Sequence, residues 1–241
     1  MNIAFLIPSK GELWNCIEES FLYKYTLKSL KPEEDQNYHF FIGFDNNDIF
    51  YKNKSNQDKF KKKFSKYNFK FIEFSSDIMP GHLTEMWNIL FNDALVYNKE
   101  YIDYFYQCGD DILFKTRGWI REGADFLKNN NDIGVVGPKN NHPTLLTQVM
   151  FSRKHYTFFN YLFPKEIFNW GCDDWINNIY SPNNLRILEN HYCENVGGAP
   201  RYDTSKYNLK VLKNTIKQKA LNEKYKILGD TRRTHPDAHG W

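Results

Sequence analysis

The sequence predicts a single α/β domain whose mostly parallel sheet is covered on both faces by helices, and three observations carry that prediction. Apolar runs four to seven residues long recur along the chain, the stretches between them have helical spacing, and 241 residues suit one domain of this class.

In order, Ile3 to Ile7 is the first apolar run, closed by Pro8. It has no basic residues before it and is too short for a signal peptide, so it reads as a buried strand. Glu12 to Leu30 carries Leu13, Cys16, Ile17, Phe21, Tyr25 and Leu27 at roughly helical spacing. Phe40 to Phe44 is the second strand, and Phe69 to Phe74 the third, with Lys70 and Glu73 inside it. Between these two, Lys52 to Lys66 holds seven lysines and little apolar content. Such a run is usually a solvated loop or helix face, and contact with an anionic surface is the sharper reading. Leu83 to Tyr97 has the clearest helical stripe, formed by Met86, Trp87, Leu90, Ala94 and Leu95. Further strands are expected at Tyr104 to Cys108, Ile133 to Val136, Val149 to Phe151 and Arg186 to Asn190. Helices are expected at Trp119 to Leu127 after the Gly118 break, at Asp173 to Tyr180, and at Leu209 to Leu228 with Leu212, Ile216 and Leu221 inward. Asn183-Asn184 and Gly197-Gly198 mark turns, beyond which the composition becomes polar and basic.

Composition excludes several classes. Hydrophobic residues make up 41%, enough for a sizeable core, and a net charge of +3 is too mild for a nucleic-acid binder. Aromatics reach 17%, which fits either a carbohydrate-facing cleft or a general bias toward Asn, Lys, Tyr, Phe and Ile. Cys16, Cys108, Cys172 and Cys193 are scattered with no C-x-x-C pair, which argues against a zinc site or disulfide framework and for a reducing compartment. No stretch approaches the roughly 20 apolar residues of a membrane span, so the expectation is a soluble, cytoplasmic protein.

Two acidic pairs carry the chemistry. Asp110-Asp111 follows the apolar run Tyr104-Phe105-Tyr106-Gln107-Cys108, at the strand end where open α/β sheets bind ligands. Adjacent carboxylates repel unless a cation joins them, and Mg²⁺ or Mn²⁺ takes one or two carboxylates while keeping positions for substrate phosphates. A polar turn is the plain alternative. Asp173-Asp174 opens a short helix between Trp170 and Trp175, preceded by Gly171. An acid there is often an N-cap, but one of two could instead deprotonate an acceptor hydroxyl beside a tryptophan platform. His191 ends a strand, where histidine is more often structural than a ligand, and His235 and His239 in the tail compete for any ligand role.

Taken in order, these pieces resemble the GT-A-fold glycosyltransferases, most closely the inverting, family-two-like members, from Ile3 to about Glu194. Pro8 and Ser9 match the end of that family's first strand beside the nucleotide. Asp45 matches the terminal acid of the second strand, which contacts base or ribose. Pro80-Gly81-His82 leading to Trp87-Asn88 and Ala94 is similar to the helix under the nucleotide, with Trp87 in place of the common Arg. Asp110-Asp111 stands at the D-x-D metal motif, with Cys108 in place of its first Asp, and Gly118-Trp119-Ile120 is similar to Pro-Gly-Trp-Leu. Trp170-Gly171-Cys172-Asp173-Asp174 is similar to Trp-Gly-x-Glu-Asp, whose last acid is the catalytic base, and His191 stands where several members place a third metal ligand.

The resemblance implies a GT-A domain over residues 1–200 with a helical, basic tail over 201–241 packed on it. It implies a Mn²⁺- or Mg²⁺-dependent, inverting transferase moving a sugar from a nucleotide sugar, with UDP-sugar the expected donor, to a hydroxyl on a glycan or protein. Asp174 and Asp173 would be catalytic, Pro8, Ser9, Asp45, Trp87 and Asn88 would bind the nucleotide, and Asp110, Asp111 and His191 would hold the metal. Two rivals share the sheet. A sugar-nucleotide pyrophosphorylase wants a Gly-rich phosphate loop, where Ser9-Lys10-Gly11-Glu12 offers one Gly. A non-catalytic sugar- or nucleotide-binding scaffold would keep the fold without the acids' chemistry.

Overall fold

Alternate residues of the first apolar run face opposite layers, and both layers are buried. The computed structural model describes residues 1–12, 14–197 and 209–227. Asn2–Pro8 forms β1, paired in parallel with β2 (Asn37–Phe44) and with β4 (Tyr104–Gln107), and β3 (Asn68–Glu73) extends the parallel block beyond β2. Ile3, Phe5 and Ile7 join one core cluster, while Ala4 and Leu6 join the other, all inaccessible to solvent. Phe5 stacks on Phe40 at 4.9 Å and meets the edge of Tyr106 at 5.6 Å, so register and core packing reinforce each other.

Beyond β4 the sheet departs from the mostly parallel expectation. The full order is β3-β2-β1-β4-β7-β6-β8-β5, with β7 (Val149–Ser152) antiparallel to both β4 and β6 (Val135–Lys139). β8 (Leu185–Asn195) runs parallel to β6 and antiparallel to the edge strand β5 (Ile112–Phe114). The three residues of β5 follow β4 almost directly, so this strand caps the far edge instead of extending the parallel block.

The segment expected as one helix from Glu12 to Leu30 is broken up, and Leu13 lies outside the described residues. Ile17–Glu19 is a 3₁₀ turn, and Leu22–Leu27 is wound with π spacing. Hydroxyls in this region serve the sheet edge. Thr26 Oγ1 accepts from the Ile112 amide at 3.3 Å, and Ser29 Oγ accepts from the Phe114 amide at 3.0 Å, covering donors that an edge strand would leave bare. The lysine-rich run becomes a short helix α1 (Ile49–Lys52) and then α2 (Lys54–Lys63), which buries only Gln57 and Phe60.

Helices α3 (Leu83–Leu95), α4 (Trp119–Asn129), α5 (Lys154–Phe159) and α6 (Cys172–Tyr180) complete the two layers. Helix α7 (Leu209–Glu223) lies against α6. It buries Ile216 and Ala220, whereas Leu221, expected inward, is exposed; the Leu212 side chain is outside the described set. The Glu223 carboxylate accepts from Trp175 Nε1 at 2.9 Å and from Tyr161 OH at 2.5 Å. Glu223→Ala leaves both donors unpaired, at about 1–3 kcal/mol. It should lower the melting temperature followed by circular dichroism by several degrees, and an unchanged value would show that α7 docks without this carboxylate.

Candidate active site

β1, β2, β3 and β4 all end on one rim, and the functional candidates collect there because the chain leaves each strand at that end. Ser9, just past β1, is fixed by its amide on Gly43 O at 2.7 Å. Its hydroxyl lies 2.8 Å from Tyr51 OH and donates to Asp110 Oδ2 at 2.5 Å. Asp110 is fully inaccessible, so this bond helps hold a carboxylate that burial alone would disfavour. The latch ties the acidic turn after β4 to the end of β1.

Asp111 is the more open of the two acids. A Cβ on Gly109 would lie 2.5 Å from Asp111 Oδ1, and one on Gly197 would lie 1.8 Å from Oδ2. Two glycines therefore let the backbone close on this partly exposed carboxylate, where any other residue would collide with it. Mg²⁺ or Mn²⁺ fits that chemistry, since one or two carboxylates plus substrate oxygens suffice. Among the described residues no three His, Cys, Asp or Glu side chains gather as a complete metal cage, so substrate would have to supply part of the shell.

Beside the latch, Lys10, Gly11, Glu12, Asp45, Asn47, Asp48 and Ile49 line a groove of about 280 Å³. Asp45 stands at the end of β2, as the sequence predicted. Asp48, which the sequence reading missed, organises the groove wall. Its Oδ1 caps α1 by accepting from the Phe50 and Tyr51 amides, and its Oδ2 accepts from the Gly11 amide at 2.5 Å. A Cβ on Gly11 would fall 2.5 Å from Asp48 Oδ1 and 2.9 Å from Phe50 Cβ, so only glycine permits this approach. An Asp directly before the Ile49-Phe50-Tyr51 run, in N-cap position, was the available signal.

Two nucleotide candidates serve packing instead. Trp87 is buried in the core, and its Nε1 donates to Leu6 O at 3.2 Å. Asn88 is spent on the 160s loop, accepting from the Leu162 and Phe163 amides and donating to Phe163 O. Both face the sheet and the loop, because they sit on the buried stripe of α3.

That loop leads to the second acidic pair. The His82 ring stacks on Phe168 at 4.3 Å, and the Thr84 hydroxyl donates to Ile167 O, which pins the start of α3 to the approach of α6. Gly171, at φ +91°, is the N-cap of α6, so neither acid plays the N-cap part; Asp173 and Asp174 occupy the first turn. A Cβ on Gly171 would lie 2.2 Å from Ile216 Cδ1, so α7 closes directly over this turn. Trp170 beside it is 44% exposed. Burial pushes the partly buried Asp173 carboxyl up to about 7, against a hydrogen bond from the Cys172 thiol and with help from the Asp174 charge.

His191 is not brought to the acidic turn. Asp111 neighbours Val196 and His191 neighbours Thr116, five residues apart along the β5–β8 ladder, or about 17 Å at strand rise. Its Nε2 faces Glu122 at 3.0 Å and its Nδ1 faces Thr116 at 3.2 Å. β8 continues to Asn195, further than the apolar pattern indicated, and carries Val196-Gly197 to Asp111 in its place. His235 and His239 lie outside the described residues.

No protein-family model matches the sequence, and a search of curated proteins returns no match. Solved structures do match. TarS of S. aureus aligns with a TM-score of 0.53 at 11% identity, over 93% of this chain and 44% of that one. TarS 1–349 in complex with UDP-GlcNAc aligns at 0.52 and 12% identity, over 93% and 73%. The mannosyltransferase PcManGT from Pyrobaculum calidifontis, in complex with GDP-Man and Mn²⁺, aligns at 0.54 and 12%, over 92% and 62%. The chain thus spans less than half of the longer TarS structure. At these identities the likeness establishes the fold, which is the α/β GT-A fold expected from the sequence.

Proposed function

We propose that the chain is a glycosyltransferase that moves a sugar from a nucleoside-diphosphate sugar to an acceptor hydroxyl with inversion, assisted by a divalent cation. The observation that carries this reading is the Ser9–Asp110 latch, which holds the acidic turn beside the groove at the ends of β1 and β2. Structural neighbours hold UDP, UDP-GlcNAc and GDP-Man with Mn²⁺. UDP-sugar is the donor we favour, with a glycan or protein hydroxyl as acceptor.

Asp111, partly exposed at the acidic turn, would hold Mn²⁺ or Mg²⁺, and Asp110 would keep the turn in place. The cation would supply charge neutralisation at the leaving diphosphate. Asp45 and Lys10 would bind the nucleoside and its phosphates from the groove. At α6, Asp174 would take the proton from the acceptor hydroxyl. Asp173, near half-protonated at neutral pH, would donate a hydrogen bond to a neighbouring hydroxyl of the acceptor, beside the Trp170 face. Two acids with environments that push their titrations apart divide such roles naturally.

The test is binding of UDP in Mn²⁺ and in EDTA, read by calorimetry. Affinity should depend on Mn²⁺, and Asp45→Ala should weaken it by about 1–3 kcal/mol, the cost of stranding a polar partner. Metal-independent binding, or unchanged affinity in the variant, would count against the donor site described here. Hydrolysis of a UDP-sugar by the same protein separates a transferase from a binding scaffold.

A further inference from the structure

The end of the sheet opposite the cleft carries a surface that the transferase reading does not use. Strands β1, β2, β3 and β4 begin there. Tyr67 just ahead of β3 donates to Leu30 O at 2.9 Å, so the end of α2 meets the loop leading into β2. The Tyr23 ring lies 5.2 Å from Phe64, with Lys28 Nζ over Tyr23 and Lys66 Nζ over Tyr67. Lys28 and Lys66 thereby lie over this aromatic seam, and Lys31, Lys62 and Lys63 adjoin its Leu30 and Phe64 in sequence; all five are exposed, and none forms an ion pair among the described residues. Most carboxylates at this end are engaged elsewhere. Glu33 and Asp35 bind Arg121, Glu100 faces His39, and Asp103 accepts from the Asn2 amide; Glu34 is the exposed exception.

The same end continues into an exposed apolar stretch. Asn2, at the start of β1, donates to Tyr101 O at 2.9 Å and bonds Asn37 at the start of β2, so Tyr101 stands beside the strand starts. Tyr101 is 66% exposed, Val96 at the end of α3 is 76% exposed, and Tyr156 after β7 is 38% exposed. Lys99 and Lys154 flank them. Bare lysines beside exposed tyrosines and valine form a surface for which water is a poor sole partner.

We propose that this base of the sheet docks on an anionic lipid surface, with the cleft facing away from it. Lysines near an anionic bilayer are each drawn by its surface potential, and exposed Tyr and Val settle at the headgroup level. The arginines at this end are already engaged, Arg121 by Glu33 and Asp35 and Arg153 by Leu95 O and the Tyr101 ring. The charge on offer is therefore that of separate lysines, which suits a diffuse sheet of charge better than the paired phosphate contacts of a nucleic-acid strand. Such docking needs no spanning segment, and no helix among the described residues is long and apolar enough to be one.

Co-sedimentation with vesicles tests this. The protein should pellet with phosphatidylcholine vesicles containing phosphatidylserine, remain in solution with phosphatidylcholine alone, and be released by salt. Neutralising one lysine should weaken binding about fivefold, so Lys62→Gln/Lys63→Gln/Lys66→Gln should weaken it roughly a hundredfold. Val96→Ser/Tyr101→Ser should remove what binding persists at high salt. All five positions are exposed, and unchanged circular dichroism checks the fold of both variants. Absence of phosphatidylserine-dependent pelleting, wild-type affinity in the triple variant, or tight duplex RNA binding without vesicle binding would each overturn the proposal. None of these readouts depends on transfer activity.

Discussion

Asp111→Ala is expected to abolish Mn²⁺-dependent binding of UDP and to cut transfer by about a thousandfold or more. A catalytic cation supplies several kcal/mol to the departing diphosphate, and about 1.4 kcal/mol is tenfold in rate. Asp111 is the acid that stays partly exposed, with Gly109 and Gly197 packed against it, whereas Asp110 is buried on Ser9. The two should therefore fail differently. Asp111→Ala should keep the wild-type melting temperature in EDTA and lose the stabilisation that UDP with Mn²⁺ confers. Asp110→Ala should melt lower under both conditions, because it removes a bond made in a sealed site and leaves the Ser9 hydroxyl with Tyr51 alone. If Asp110→Ala folds normally and only Asp111→Ala melts low, the roles of the two acids are reversed.

The second large effect is at α6. Asp174→Asn is expected to lower kcat by about 10²–10⁴, the usual contribution of a general base, with donor affinity almost unchanged. Asp173→Asn should behave otherwise. Since its folded-state carboxyl titrates near 7, it is protonated below that value and can donate a hydrogen bond; above it, the donor is lost. Acceptor KM for the wild type should thus rise as pH passes through about 7, while Asp173→Asn, a donor at every pH, should keep the low-pH KM throughout. The same titration affects stability. A carboxyl raised above its unfolded value near 3.8 penalises the fold as pH climbs from there to about 7, and the penalty is complete above. Asp173→Asn should accordingly melt above wild type at pH 8 and match it well below pH 4. Activity that instead climbs through pH 7 in wild type and vanishes in Asp173→Asn would make Asp173 the base.

Much of this arrangement was legible because the central strands are buried on both faces and so read as unbroken apolar runs. Phe40 to Phe44 and Tyr104 to Cys108 are of that kind, and the acids at their ends followed. The sheet edge was legible only in part: Arg186 to Asn190 marks the first half of β8, but β5 is three residues long and His191 to Asn195 carries no apolar run. Trp87 and Asn88 were assigned by position in a motif, while their surroundings came from Leu6 and Phe163, which are distant in sequence. His191 was misplaced because β8 runs five residues past the point where its apolar pattern fades. Asp48 and Tyr51 escaped notice because their partners, Gly11 and Ser9, lie about 40 residues upstream.

The closure of α7 over Gly171 bears on how the α6 turn is completed during synthesis. Ile216 and Glu223, which cover and anchor the start of α6, leave the ribosome about 50 residues after Asp174. β8 ends at Asn195, so at roughly 5–20 residues per second the nascent chain spends about 1–6 s with its strands paired and its acidic turn formed but the α6 turn uncovered. A product released before residue 216 would present the groove and the acidic turn with Gly171 uncovered; on the function proposed above, it would bind donor without a finished acceptor side.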